Sequence, residues 1–352
     1  MKKTAYLLVL LPLLSIIFLA AQSCSKKSDN GGGNVVIPPP PVVTKSDVTM
    51  WLTNANQSQL LTKQQLSLNF ATGANSNQSI AVDTTTTYQS IDGFGFCLTG
   101  GSASVINALP AANADALLKE LFLTDSTHIG ISYLRISMGA SDMSAADFTY
   151  DDMASGTDVN LANFSIDMEK TDLIPVLKKI IALNPSIKIL ATPWTAPVWM
   201  KLATQGNGGF TGGSLNTAYY SVYAQYFVKY IQAMQAQGIT IDAITPQNEP
   251  LNANNNPAMV MQPAEEDNFV KNDLGPQFQT AGLSTKIIIY DHNTDRTDYP
   301  LTILAAAANR MRAQSTVGGQ VPFQYIPAPV LCCADNEVRN MPGQVAGKAA
   351  GR

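Results

Sequence analysis

Ile239-Thr240-Ile241-Asp242-Ala243-Ile244-Thr245-Pro246-Gln247-Asn248-Glu249-Pro250 is an apolar stretch that runs into a polar turn locked by proline. It reads as a buried strand, 239–245, with chemistry-bearing side chains at its end. The same unit recurs on either side. Apolar strand candidates at 93–98, 132–138, 187–192 and 286–290 alternate with helical segments near 102–122, 169–183, 215–236 and 263–274. Apolar strands separated by helices predict a parallel sheet covered on both faces, an α/β architecture. Five units point to a (β/α) barrel, about five of the eight of a complete one. Residues 91–310 are assigned to it.

Outward from this region the pattern changes. Residues 46–90 carry short alternating runs, 48–52, 66–70 and 79–82, separated by Asn, Gln and Thr. These predict a few antiparallel strands, too few alone for a two-sheet sandwich. Residues 25–45 hold Gly31-Gly32-Gly33 and Pro38 to Pro41, the composition of a flexible linker. Residues 1–24 have the form of an export signal. Lys2 and Lys3 precede an apolar run, 5–21, that is short beside the roughly 20 residues of a membrane span. Its end, Ala21-Gln22-Ser23-Cys24, resembles a bacterial lipoprotein signal. That resemblance implies lipidation at Cys24 and an exported protein anchored to the outer membrane. Beyond Asn309 the strand–helix rhythm stops, and 311–352 reads as an atypical tail rich in Gly, Pro, Gln and Ala. Its prolines at 327 and 329 argue against a central strand.

The 352 residues are 45% hydrophobic and 14% charged, which suits a substantial core. A net charge of −4 supplies no basic field, so nucleic acid is not an expected partner. Besides Cys24 the cysteines are Cys97, Cys332 and Cys333, which form neither a disulfide framework nor a metal-binding spacing. With two histidines, His128 and His292, a histidine-based zinc site is not expected either. No cofactor is implied.

In a barrel, working residues sit where strands end. Here the strand ends carry Gly93 to Ser102, Arg135, Thr192 to Trp199, Asn248 with Glu249, and Asp291 to Asn293. Glu249 is of the type that protonates a glycosidic oxygen and then serves as base. Asn248 can hold a neighbouring sugar hydroxyl. Trp194 offers an apolar face suited to stacking on a pyranose, and Arg135 can orient a carboxylate. Plainer readings stand beside these. Arg135 reads equally as a buried ion pair, Asp291 as a loop cap or a substrate contact, and Trp199 as core. Glu265 and Glu266 suit the first turn of a helix, where negative charge complements the dipole. The tyrosines of 215–236 recur every three or four residues, and packing against the sheet explains them better than a sugar platform.

Gly93-Phe94-Gly95, Arg135 to Gly139, Pro193 to Pro197, Gln247 to Pro250 and Tyr290 to Asn293 together resemble glycoside hydrolase family 30, from about residue 48 to about 308. The family includes glucosylceramidases and endo-β-1,6-glucanases. The resemblance implies a (β/α)8 TIM barrel with a side β-sandwich, of which 46–90 would be the N-terminal part. It also implies a retaining mechanism on β-glucans or β-glucosides. Glu249 matches the acid/base, Asn248 the sugar-hydroxyl ligand, Trp194 an aromatic wall and Arg135 the arginine beneath the site. Gly100 stands where glucosylceramidases carry an aspartate, which leans toward the glucanase branch.

The family's nucleophile is a glutamate at the end of the seventh strand. Nothing after Asn309 resembles the sixth or seventh strand motifs, and Glu337 is the only glutamate beyond Glu266. The expectation is a truncated or frame-shifted chain with little catalysis. The alternative is a non-catalytic carbohydrate-binding surface lipoprotein.

Overall fold

The computed structural model describes residues 46–73, 76–87, 90–125, 127–202, 209–314 and 326–327. The chain divides into two compact units between Ser79 and Ile80. In the first, β1 (Trp51–Leu52) pairs antiparallel with β2 (Thr62–Lys63), and Val48 bridges Leu68. Asn54 closes the intervening turn by accepting from the Gln59 backbone N–H at 3.0 Å. The strand expected at 79–82 does not form; Ile80 and Val82 are both exposed, so their alternation buries no face.

The second unit is built on a parallel sheet. Its strands are β3 (Gly95–Leu98), β4 (Tyr133–Met138), β5 (Lys188–Pro193), β8 (Ala243–Ile244), β9 (Lys286–Ile289) and β10 (Ile326–Pro327). They lie in chain order, each parallel to its neighbour. A separate antiparallel pair, β6 (Lys201–Leu202) and β7 (Ser214–Leu215), lies between β5 and β8 in the chain. Five strands fall where the apolar runs predict them. The sixth lies in the stretch set apart as a tail; at an edge of the described sheet a strand is paired on one side only, which tolerates the N–H that its proline lacks.

Strand register sorts the side chains into two layers. Leu98, Ile136, Ala191, Ile244 and Ile287 stand side by side and pack into the main apolar core against the helices. The opposite face carries a smaller cluster of Tyr133, Leu190, Ala243 and Ile288. Two residues further along from Tyr133, Leu190 and Ala243, that same face carries Arg135, Thr192 and Thr245. The apolar layer therefore leads directly into a polar layer at the C-terminal ends. Close approach of β3 to β4 depends on Gly95, because a Cβ there would lie 1.4 Å from the Tyr133 carbonyl oxygen.

The helices depart from expectation at their ends. The single helix expected at 102–122 is two, α1 (Gly100–Ala108) and α2 (Ala111–Phe122). Thr99 caps α1 by accepting from the Ser102 N–H, and Pro110 separates the pair by barring a continuous hydrogen-bond ladder. α3 (Leu173–Leu183) and α4 (Tyr220–Ala236) begin later than expected, each preceded by a 3-10 turn. α4 buries Tyr220, Tyr223, Tyr226 and Tyr230 in the main core, as their spacing suggests. The segment 263–274 splits into α5 (Pro263–Phe269) and a wide π turn that leads into α6 (Gly275–Thr280). α7 (Asp298–Gln314), which the sequence reading did not resolve, follows β9 and crosses the Asn309 boundary.

Candidate active site

Four of the singled-out residues meet at the C-terminal ends of β4, β5, β8 and β9. The Arg135 guanidinium donates to Asn248 Oδ1 at 2.6 Å and to Asp291 Oδ2 at 2.8 Å. Its carbon lies 4.7 Å from the centre of the Trp194 ring. Arg135 and Asp291 side chains are 6% and 11% exposed, so this is an ion pair withdrawn from water. Arg135 is therefore the buried ion pair of the plainer reading, with a further bond to Asn248. The pair itself orients Asn248: with Oδ1 held by Arg135, the amide Nδ2 is the group left for another partner.

Asp291 is a hub. Oδ1 accepts the Glu249 backbone N–H at 2.8 Å. Oδ2 accepts from Arg135, and also from Thr245 Oγ1 at 3.0 Å, which is 2.8 Å from Thr192 Oγ1. Two left-handed residues make this possible, Tyr290 at φ +57° and Glu249 at φ +42°. Non-glycine residues rarely adopt such angles, and they collect at functional sites. The twist at Tyr290 turns its ring onto Tyr299, with centroids 4.4 Å apart, while Asp291 meets the polar layer. The twist at Glu249 points its N–H at Asp291.

Glu249 is half-buried. Its Oε2 accepts from Asn252 Nδ2 at 2.7 Å, and its backbone carbonyl accepts from the Asn252 N–H at 2.8 Å. Among the described residues Oε1 takes no donor. Gln247 is buried and donates to the carbonyls of Trp194 and Asn248 at 2.7 and 2.9 Å, which ties the turn after β8 to the turn after β5. Trp194 is 4% exposed, with its indole N–H buried and without a partner among the described residues.

The surrounding loops are stitched by Lys201. Its ammonium donates to Thr195 Oγ1 and to the carbonyls of Gly209 and Ala258 at 2.8, 2.8 and 2.9 Å. Burial pulls it down to about 7, against oxygen acceptors that favour its charged form. Trp199 is partly buried and donates to the Asp151 carbonyl at 2.9 Å, edge-on to Tyr219. Glu265 closes a capping box with Gln262, as a first-turn carboxylate should. Its neighbour Glu266 does something else: it is 1% exposed and holds Tyr299 and the Tyr290 N–H. Sequence reasoning missed Asn252, Lys201 and Thr245, whereas Thr192 stands within the strand-end stretch it named. Only Asn252 left a signal, standing three residues after Glu249 in a turn. Cys24 and Glu337 lie outside the described residues.

A parallel α/β sheet with a carboxylate, an amide and an arginine gathered at its C-terminal ends has the layout of a barrel-type enzyme site. The chain belongs to glycosyl hydrolase family 30: the model of that family's TIM-barrel domain matches residues 91–345. The match takes in β10 and most of the stretch beyond 311. An endo-1,6-β-D-glucanase of Neurospora crassa is 41% identical over 254 residues, covering 71% of this chain and 50% of that protein. The lysosomal acid glucosylceramidase of Mus musculus is 30% identical over 211 residues, covering 58% and 40%. The solved structure of the endo-β-1,6-glucanase BT3312 is 39% identical with a TM-score of 0.66, covering 76% of this chain and 58% of that one. The chain spans about half the length of the curated relatives it matches.

Proposed function

We propose that the protein is a retaining β-glycosidase acting on β-glucan, with β-1,6-linked glucan as the favoured substrate class. The glucanase relatives are more similar than the glucosylceramidase, and Gly100 carries no carboxylate to grip an outer sugar hydroxyl. The observation that carries the reading is the Glu249 turn. One carboxyl oxygen is engaged by Asn252 and the other takes no described donor, beside an Asn248 amide oriented by Arg135.

In this reading Glu249 protonates the leaving glycosidic oxygen and later takes a proton from the attacking water. Asn248 Nδ2 holds the hydroxyl beside the reacting carbon. Arg135 and Asp291 set the angles of both. Retention requires a second carboxyl roughly 5–5.5 Å away. Asp291 is held by Arg135, Thr245 and the Glu249 N–H, and Glu266 by Tyr299 and the Tyr290 N–H, so neither is assigned as the nucleophile; Glu337 lies outside the described residues. Replacing Glu249 by Gln should lower turnover of β-1,6-glucan by about 10²–10⁴-fold. A wild-type protein that binds the glucan but releases no sugar would favour the non-catalytic carbohydrate-binding reading. Lipid anchoring through Cys24 is a separate inference. Metabolic labelling with a fatty acid should mark the wild-type protein and not Cys24→Ala.

A further inference from the structure

We propose that Asn252 is a positioning residue that selects which oxygen of Glu249 carries the catalytic proton: the amide holds Oε2 as an acceptor and leaves Oε1 to bear and deliver the proton. This rests on the acid/base reading of Glu249.

Three bonds build the arrangement. The Asn252 N–H closes the turn on the Glu249 carbonyl at 2.8 Å, which brings the Asn252 side chain back over the glutamate. The orientation of the amide is set from its other end, where Oδ1 accepts the Asn254 N–H at 3.2 Å. Nδ2 is then the atom that faces Glu249, 2.7 Å from Oε2. An amide N–H can only donate, and the better acceptor of a protonated carboxyl group is its carbonyl oxygen rather than its hydroxyl. The proton is therefore placed on Oε1. The Glu249 backbone is anchored by its N–H to Asp291 at 2.8 Å, and the bond from Asn252 to Oε2 is what opposes rotation of the carboxyl group about its Cγ–Cδ bond.

The consequence follows through both chemical steps. As the bond from anomeric carbon to glycosidic oxygen breaks, its electron pair goes to that oxygen, which takes the proton from Oε1. A carboxylate nucleophile bonds to the carbon at the same time. In the second step water attacks that carbon and gives a proton to Oε1, and the ester pair returns to the nucleophile. Oε2 stays bonded to Asn252 throughout. A side chain that merely closed the turn would need only the backbone N–H of Asn252.

The test uses the purified protein with aryl β-glucosides that differ in leaving group, phenyl and 2,4-dinitrophenyl. Phenolate needs a proton on departure and dinitrophenolate does not. Asn252→Ala should lower kcat/KM for the phenyl glucoside by about 10-fold, the weight of a hydrogen bond to a charged group. The loss on the dinitrophenyl glucoside should be much smaller. Asn252→Asp, of the same shape but without the N–H donor, should show the same split. Equal losses on both substrates, or none, would overturn the assignment. Glu249→Gln run beside it separates the two ideas: if it too shows no leaving-group dependence, the acid/base reading fails with it. A readout free of turnover completes the test. In 15N-labelled protein the Asn252 side-chain amide should resonate apart from exposed asparagines and move in Glu249→Gln. An Asn252 signal indifferent to that change sinks the proposal whatever the assays give.

Discussion

Asp291 and Glu266 meet the same corner of the fold, on the two sides of Tyr290, and are treated in opposite ways. Asp291 is paired with the Arg135 guanidinium and accepts two further neutral donors. Among the described residues Glu266 has no cation beside it. Its partners are the Tyr299 hydroxyl at 2.7 Å and the Tyr290 N–H at 3.3 Å, and burial pushes its carboxyl up to about 7. Tyr299 also lies 2.8 Å from the Met261 carbonyl, and one hydroxyl proton cannot serve both acceptors. A protonated Glu266 resolves this by donating to Tyr299, which then donates to Met261. The difference shows what this fold does with buried carboxylates. One with a cation holds the geometry of the site, and one without becomes a neutral clamp between α5, α7 and the end of β9.

The sharpest break of this contrast is to remove the cation. Arg135→Met leaves Asp291 buried opposite no charge and frees Asn248, and should destabilise the protein by about 3–5 kcal/mol in urea unfolding. The next tests the clamp. The raised Glu266 carboxyl contributes stability that is fully present below its unfolded value, near 4.5, and lost as pH rises through about 7. Wild-type stability should therefore fall across that window, and Glu266→Gln should remove that part of the slope, on the order of 1–3 kcal/mol. Asp151 offers a milder version. It is 1% exposed and faces Asp158, and burial followed by that second carboxyl raises it to about 6. Asp151→Asn should flatten a smaller decline between about pH 4 and 6, of about 1 kcal/mol, in the same titration. Smallest of all is Asp115→Asn, which breaks an exposed contact with Lys179 at 3.4 Å and should change stability by less than about 0.5 kcal/mol. If it cost as much as Arg135→Met, burial would not be what separates these pairs.

Much of this was legible from residue order. The runs at 93–98, 132–138, 187–192 and 286–290 are predominantly apolar and each overlaps the paired strand found there, β5 running one residue past its run to Pro193. The run at 239–245 was read too long: only Ala243 and Ile244 keep ladder partners on both sides. The helix ends were misjudged where Pro110 and the turn before Leu173 interrupt a continuous apolar pattern. α7 was missed because its alanine-rich stretch has little amphipathic contrast. Glu266 was read with Glu265 as a helix-start charge, since adjacent acidic residues look alike until one of them is buried.

From sequence alone came the kinds of element, their order, and the chemical types at each strand end, with Glu249 and Asn248 foremost among them. These depend on period, composition and near neighbours. What only the tertiary structure decided is which of those groups act on one another. Arg135 stands 113 positions from Asn248 and 156 from Asp291, and lateral stacking of strands brings all three within bonding distance. The charge state of a carboxylate such as Glu266 likewise depends on the surfaces that close over it. Desolvation is a property of the packed interior, which no local stretch of chain contains.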